Sequence, residues 1–419
     1  LEELKSRAGI KEVARLAKKS PGGRLPMEMV GPAATHLPVA DVPSAMSPDL
    51  KMPLAGKSAT YPDPPRSMNQ KECKKGLQGG QLFYIKSRFA MCTGMQMVQV
   101  WARKGVPVGE SSFTVWILST VPGKKDRTVR YQYLFTDFYK FKKTKTSGLK
   151  INTDVDMTAW PGRARRVEGG KIPPTLSFDK LKKANKYLHT VHYDAGQGRG
   201  KDDVISMAYE PYIQLKFPPP YTSPNTGRVR VGFLAAQWDA AKYLNNSGGG
   251  GSAKKKGSVA FPVSTYLVYS SKPRAPEKAV ADHIKLAYNR PGKTKPVNQS
   301  KKVPGFDNDH KLHRLYHDTK RRKANRDAAI AVCEQYWGKG YPQGKKYQCD
   351  ECPFAVTYEG SAQAKYDKKA KKKNFSAMPL AARDNEKAGS ILAQFLTKNR
   401  VLDGRIGDEE IDSFKVWID

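Results

Sequence analysis

The sequence predicts a multidomain chain: an N-terminal all-β domain, sandwich or barrel-like, followed by a small C-terminal α+β domain. Three observations carry that prediction. The 419 residues exceed one ordinary domain and suggest two or three. Between residues 81 and 269, short runs rich in β-branched and aromatic residues recur between turn residues, without long helical patterns among them. After residue 309 the periodicity becomes helical, broken by short strands.

Taken in order, residues 1–72 start with a short amphipathic helix expected from Leu1 to Lys19 and continue as a Pro-rich stretch that reads as an extended linker or strap. The β-rich domain is expected over 73–289. Its strands are Gln81–Phe89, Met95–Trp101, Ser112–Leu118, Val129–Phe135, Leu149–Val155, Glu210–Phe217, Arg228–Phe233 and Val259–Tyr269. The Gly-rich stretch 245–257 reads as a flexible loop between two strands. A short helix is expected at 276–283, and the Pro- and Lys-rich residues 290–308 read as a linker. The last domain, 309–419, begins with a basic helix or helix pair from Leu312 to Tyr336. A strand at Phe354–Tyr358 follows, then a helix at Asn385–Lys398 with Ile391, Leu392, Phe395 and Leu396 on its apolar stripe, and a closing strand at Phe414–Ile418.

Charge narrows the function. Lys and Arg number 74 against 39 Asp and Glu, a formal net charge of +35, which is costly as self-repulsion and points to a polyanionic partner. Hydrophobic residues at 39% and aromatics at 10% exclude a wholly disordered chain. No apolar run approaches the ~18–20 residues of a spanning helix, so no membrane span is expected. The chain starts at Leu1 rather than Met, which reads as a processed product or a fragment of a longer chain.

The five cysteines form two local groups, Cys73 with Cys92 and Cys333 with Cys349 and Cys352, as expected for disulfides within separate parts of an exported protein. A Cys73–Cys92 bridge stapling the first strand is the preferred reading over two buried thiols. Cys349 and Cys352 have redox- or zinc-type spacing, but no second pair completes a zinc site.

Chemistry concentrates after residue 309. Asp350 and Glu351 precede Cys352-Pro353-Phe354, and Glu359 follows, all within a Lys- and Arg-rich segment. Carboxylates in such a field suit binding a divalent cation or accepting a proton from water; surface ion pairing is the competing reading. His310, His313 and His317 stand at i, i+3 and i+7, one face of a helix, which reads as a partly exposed stripe or a metal- or base-supplying cluster. Lys320, Arg321, Arg322, Lys323, Arg326, Lys345, Lys346 and the run Lys368–Lys373 are suited to phosphate contacts without sequence readout.

The run Cys349-Asp-Glu-Cys-Pro-Phe-Ala-Val-Thr-Tyr-Glu-Gly360 resembles the signature of the NucA/NucB family of secreted deoxyribonucleases. Asp384-Asn-Glu-Lys-Ala-Gly-Ser390 is similar to that family's Asp-Asn block leading into a helix. Arg400-Val-Leu-Asp-Gly404 and Phe414-Lys-Val resemble its ending, and Lys323-Ala-Asn-Arg-Asp-Ala-Ala329 with Cys333 resembles its upstream basic helix. The resemblance covers about the last quarter of the chain and departs at Cys352, where the family usually has Tyr or Trp.

The resemblance implies that 309–419 is a nuclease domain and that the protein is a metal-dependent, non-specific DNA endonuclease. Such an enzyme is secreted, or delivered as a toxin that a cognate inhibitor would accompany. It implies a Cys333–Cys349 disulfide with Cys352 free, Cys333–Cys352 being the alternative. By residue type, Asp350 then serves as general base, Glu359 and Asn385 hold Mg²⁺ or Mn²⁺, and Glu351 orients a neighbour. A helix N-cap is the competing reading of Asn385. The competing reading of the whole chain is a non-catalytic basic nucleic-acid-binding or structural protein of a larger assembly.

Overall fold

The computed structural model describes residues 60–78, 83–123, 127–224, 227–244 and 256–419. The expected helix at 1–19, the Pro-rich segment up to residue 59 and most of the Gly-rich loop lie outside the described residues. The chain is mostly β, with antiparallel sheets, and divides into two compact units. The first contains Pro65–Ala240 and runs again up to Phe261; the second contains Pro262–Asp419 with the stretches 60–64 and 241–244.

The first unit begins with α1 (Gln70–Gly76), capped by Asn69, whose side chain accepts the Glu72 N–H while Glu72 reaches back to the Asn69 N–H. Its strands are β1 (Phe83–Ser87), β2 (Ala90–Arg103), β3 (Val106–Thr120), β4 (Thr128–Lys142), β5 (Lys150–Trp160), β6 (Arg166–Gly170), β7 (Leu176–Ser177), β8 (Lys186–Tyr193), β9 (Ile205–Lys216), β10 (Tyr221–Thr222), β11 (Arg228–Arg230), β12 (Leu234–Asp239) and β13 (Ser258–Ala260). A short helix, α2 (Phe178–Lys183), follows β7. One antiparallel sheet runs β1-β2-β3-β4-β8-β6, with β10 on β2; the other runs β13-β12-β9-β5-β7, with β11 on β9.

The inner faces of the two sheets meet through aromatic rings. Tyr131 on β4 stacks on Tyr209 of β9 at 3.6 Å, and Tyr193 on β8 meets Trp238 of β12 at 4.8 Å. Alternation explains the choice: Val129, Tyr131, Tyr133 and Phe135 are buried, while Arg130 and Gln132 between them are exposed. Cys73 on α1 is bonded to Cys92 on β2. The sequence pattern had pointed to a sandwich or barrel, and two facing antiparallel sheets are what forms.

The second unit contains β14 (Thr265–Tyr269), α3 (Lys278–Asn289), α4 (Thr319–Trp337), β15 (Tyr347–Cys352), α5 (Gln363–Tyr366), β16 (Ser376–Ala381), α6 (Ala382–Lys398), β17 (Arg405–Ile406), β18 (Glu409–Glu410) and β19 (Phe414–Ile418). β14 and β19 pair in parallel, β15 and β16 antiparallel. Its main core joins Leu267 and Tyr269 of β14, Val280, Ile284 and Ala287 of α3, Ile391, Leu392, Phe395 and Leu396 of α6, and Phe414 and Val416 of β19. Tyr61 enters the same core edge-on to Phe395 at 5.4 Å, and Lys398 donates to its carbonyl.

Several sequence expectations change here. The run Val259–Tyr269 is not one strand: Pro262 lacks an N–H for a ladder, and β13 and β14 fall in different units. The boundary expected at 290–308 lies inside the second unit. Lys301 is buried there, and its ammonium donates to the carbonyls of Thr294, Pro296 and Phe375. The basic helix begins at Thr319, not Leu312, because the chain before it is extended: Leu312 exchanges backbone hydrogen bonds with Phe414, and Leu315 donates to Val356. The strand expected at Phe354–Tyr358 is instead β15, which ends at Cys352, before the expected strand begins. Pro353 ends the ladder, and the following residues turn, with Thr357 N–H donating to Phe354.

Candidate functional site

The β15–β16 ribbon carries the two acidic residues of the Asp-Glu pair. Its register sets Asp350 opposite Met378 and Glu351 opposite Ala377. Successive side chains of a strand leave on opposite faces, so the two carboxylates address different neighbours.

Asp350 is buried against α3. The His283 Nδ1–H donates to its Oδ2 at 2.5 Å, a carboxylate being only an acceptor, and the Ser376 hydroxyl lies 2.7 Å from His283 Nε2. His283 lies in the α3 segment, outside the 309–419 motifs, and nothing in its local sequence marks it.

Glu351 faces α4. Its Oε1 accepts the Ala355 N–H at 3.3 Å, and the exposed Arg326 guanidinium lies 3.8 Å away. Burial pushes its pKa up to about 7; the Asp350 charge adds to the rise and Arg326 opposes it.

Glu359 ends the turn that follows β15. Its oxygens accept the His313 N–H at 2.8 Å and the His313 Nδ1–H at 2.9 Å, with Arg405 at 3.7 Å. His313 Nε2 lies 3.2 Å from Glu410, which also pairs with Arg405 at 3.0 Å. Burial alone would lower the His313 pKa, but hydrogen bonds to Glu359 and Glu410 outweigh it and raise it to about 9. The three histidines expected on one helix face are not helical. His313 lies between Glu359 and Glu410, His310 pairs with Asp307, and His317 packs on Tyr243 and Tyr316 while its backbone N–H donates to Asp403.

The turn is locked onto α4 by Asn325, which is fully buried. Its Nδ2 donates to the Ala355 and Thr357 carbonyls and its Oδ1 accepts the Ala362 N–H. That contact explains Gly360: a Cβ there would stand 2.3 Å from Asn325 Nδ2. A disulfide joins Cys333 of α4 to Cys349 of β15, so the Cys333–Cys352 alternative does not form. Cys352 is free and buried, and burial raises its thiol pKa.

Asn385 is the fourth residue of α6, inside the helix rather than its cap, and its Nδ2 donates to Gln348 at 3.1 Å. The donors expected for a divalent cation therefore have separate partners. Both Glu359 oxygens already accept from His313, Arg405 adds positive charge beside them, and Asn385 is bonded to Gln348. As placed, this set does not fit a divalent cation, and no group of three or more His, Cys, Asp or Glu among the described residues is arranged to hold one.

Of the expected phosphate contacts, Lys320, Lys323, Arg326, Lys345 and Lys346 are exposed and Arg322 is half-buried. Arg321 is not available. It lies on the inward stripe of α4 with Asn325 and Ala329, donates to the Tyr358 carbonyl at 2.6 Å, and stacks on Tyr358 and Tyr366. Arg405, which no sequence signal singled out, stacks on Tyr358 as well.

No protein-family model matches the chain, and no curated protein or solved structure is similar to it. The functional reading therefore rests on the residues themselves. Three buried carboxylates, each set against a basic side chain, lie on β15 and in the turn after it, and exposed cations line α4 beside Glu351.

Proposed function

We propose that the second unit binds nucleic acid through the cations of α4 and hydrolyses its phosphodiesters, as a DNA endonuclease without sequence preference. The observation that carries the reading is Glu351. Its pKa near 7 makes it a proton acceptor or donor at working pH, and it lies 3.8 Å from an arginine whose helix presents Lys320, Arg322 and Lys323 outward. In this reading Arg326 and its helix neighbours neutralise the phosphate, Glu351 takes the proton from the attacking water as its oxygen bonds to phosphorus, and the bond from phosphorus to the departing sugar oxygen breaks, that oxygen taking a proton from solvent. Asp350, held by His283, keeps a negative charge behind Glu351 that sustains its proton affinity. The resemblance of the Asp-Glu block to secreted deoxyribonucleases supports phosphodiester hydrolysis, with the base at Glu351 in place of the expected Asp350 and without the cation expected on Glu359 and Asn385. Two disulfides, and the absence of a helix long and apolar enough to cross a membrane among the described residues, are compatible with export.

A second reading, a nucleic-acid-binding protein without catalysis, is favoured by one observation: Asp350, Glu351 and Glu359 are each at most 7% exposed and already engaged. Purified protein incubated with supercoiled plasmid, in Mg²⁺, in Mn²⁺ and in chelator, separates the two. Conversion to nicked and linear forms, lost in Glu351→Gln while plasmid is still bound, supports the enzyme. Binding without cleavage in every condition supports the second reading.

A further inference from the structure

We propose that the first unit carries its own nucleic-acid-binding surface, a cluster of lysines that contacts the phosphate backbone independently of α4. The cluster forms where four elements converge. The turn after β4 leads into β5 through Leu149, whose carbonyl accepts the Phe178 N–H at the start of α2. Thr146 in that turn donates to Asp179 at 3.0 Å, and Phe178 packs edge-on to Phe138 of β4 at 5.0 Å. These contacts gather Lys143 and Lys145 from the turn, Lys150 from β5, Lys180 and Lys183 from α2 and Lys216 from β9. All six are exposed.

Their arrangement is unfavourable for the folded chain by itself. The β5–β9 register sets Lys150 directly opposite Lys216, and like charges at directly opposed positions of an antiparallel pair destabilise it. Elsewhere in the same sheet the chain compensates: Arg228 pairs with Asp154 and Asp156, and Arg230 with Glu210. At this end Asp179 is engaged by Thr146, and among the described residues no carboxylate pairs with any of the six lysines. A repulsive cluster left uncompensated next to compensated ones fits a ligand that supplies the missing anions.

The last turns of β4 favour nucleic acid over other polyanions. Tyr139 and Phe141 are half-exposed, and the Lys142 ammonium lies 5.1 Å from the Phe141 ring centroid, which offers rings to unpaired bases beside a cation for the backbone. The inference does not depend on catalysis in the second unit, and would hold equally for a protein that only binds.

The test uses the full chain with the α4 cations already neutralised (Lys320→Gln, Arg322→Gln, Lys323→Gln, Arg326→Gln) and a fluorescent single-stranded DNA of mixed sequence. Anisotropy across a salt series should show residual binding. Adding Lys145→Gln, Lys150→Gln, Lys183→Gln and Lys216→Gln should weaken it at least about tenfold and reduce the salt slope by roughly 3, at ~0.7 per phosphate contact. The same four positions changed to Arg should restore it. The thermal midpoint of the Gln variant should not fall, since repulsion is being removed. Should four changes prevent folding, Lys216→Gln alone should still lower the slope by roughly 0.7. Unchanged affinity and slope would overturn the proposal. So would lysine-dependent binding to phosphatidylserine vesicles with none to DNA, which would assign the cluster to a membrane surface.

Discussion

Two buried histidines, one in each unit, are driven in opposite directions. His189 in the sheet unit sits between the Tyr209 hydroxyl and Glu168, 3.0 Å from each, and burial lowers its pKa despite the carboxylate. His313 in the second unit is as buried, but two carboxylates hold it, and its pKa rises to about 9. Around His189 the polar groups are mostly neutral: Tyr209 bonds Tyr133 at 2.7 Å, and burial raises the pKa of both phenols. Around His313 they are Glu359, Glu410 and Arg405. Neutral phenols therefore surround the buried histidine of the sheet unit, whereas paired charges surround that of the second unit. Buried charge is weak evidence for stability and better evidence for chemistry.

The contrast predicts where each unit breaks. The largest effect should come from cutting before residue 300. That removes β14 and α3, hence Leu267, Tyr269, Val280 and Ile284 from the core and His283 from Asp350. A 300–419 fragment should show no cooperative melt by circular dichroism, while 262–419 retains one; a folded, active 300–419 fragment would mean the ion network does not need α3.

Next in size, removing the Cys333–Cys349 bridge, which closes a 16-residue separation, should cost about 3 kcal/mol in denaturant melts. The Cys73–Cys92 bridge closes 19 residues and should cost a similar amount, but only the former should also reduce cleavage, since it holds α4 against β15.

Opposite pH dependences should follow from the two histidines. The folded pKa of His313 is raised, so its contribution is complete below about 6.5 and is lost as pH rises through about 9, on the order of 3 kcal/mol. The folded pKa of His189 is lowered, so its contribution is present above about 6.5 and is lost as pH falls below it. Hydrogen exchange resolved by unit should show alkaline weakening in the second and acid weakening in the first; the same direction in both would break the comparison. The smallest effect belongs to the exposed Lys323–Asp327 pair on α4, whose removal should leave the melting midpoint unchanged within error.

Much of this was readable in the sequence where one face is wet and one dry. The alternation in β4 and the 391, 392, 395, 396 stripe of α6 carry their own periodicity. The short helix α2 and the edge strand β6, with its two glycines, offer too few residues for a period to emerge. At the site, Asp350, Glu351 and Glu359 stood out as acids in a basic field. Their partners did not: His283 comes from 67 residues upstream of Asp350, and Arg405 from 46 downstream of Glu359, and only tertiary packing brings them together. Arg321 was read as surface because its neighbours in sequence are cationic, whereas the helical period places it inward with Asn325.

The central claim is that Glu351 exchanges the proton, and the rate of plasmid nicking against pH tests it most directly. Between pH 5.5 and 8 the wild-type rate should rise along a single limb centred near 7, the value burial imposes on Glu351. Asp350→Asn should move that limb to lower pH, because the charge that raises the Glu351 pKa is gone, and Glu351→Gln should abolish it with a loss of ~10²–10⁴-fold. A Glu351→Gln variant that nicks plasmid at the wild-type rate with the same limb would contradict the account.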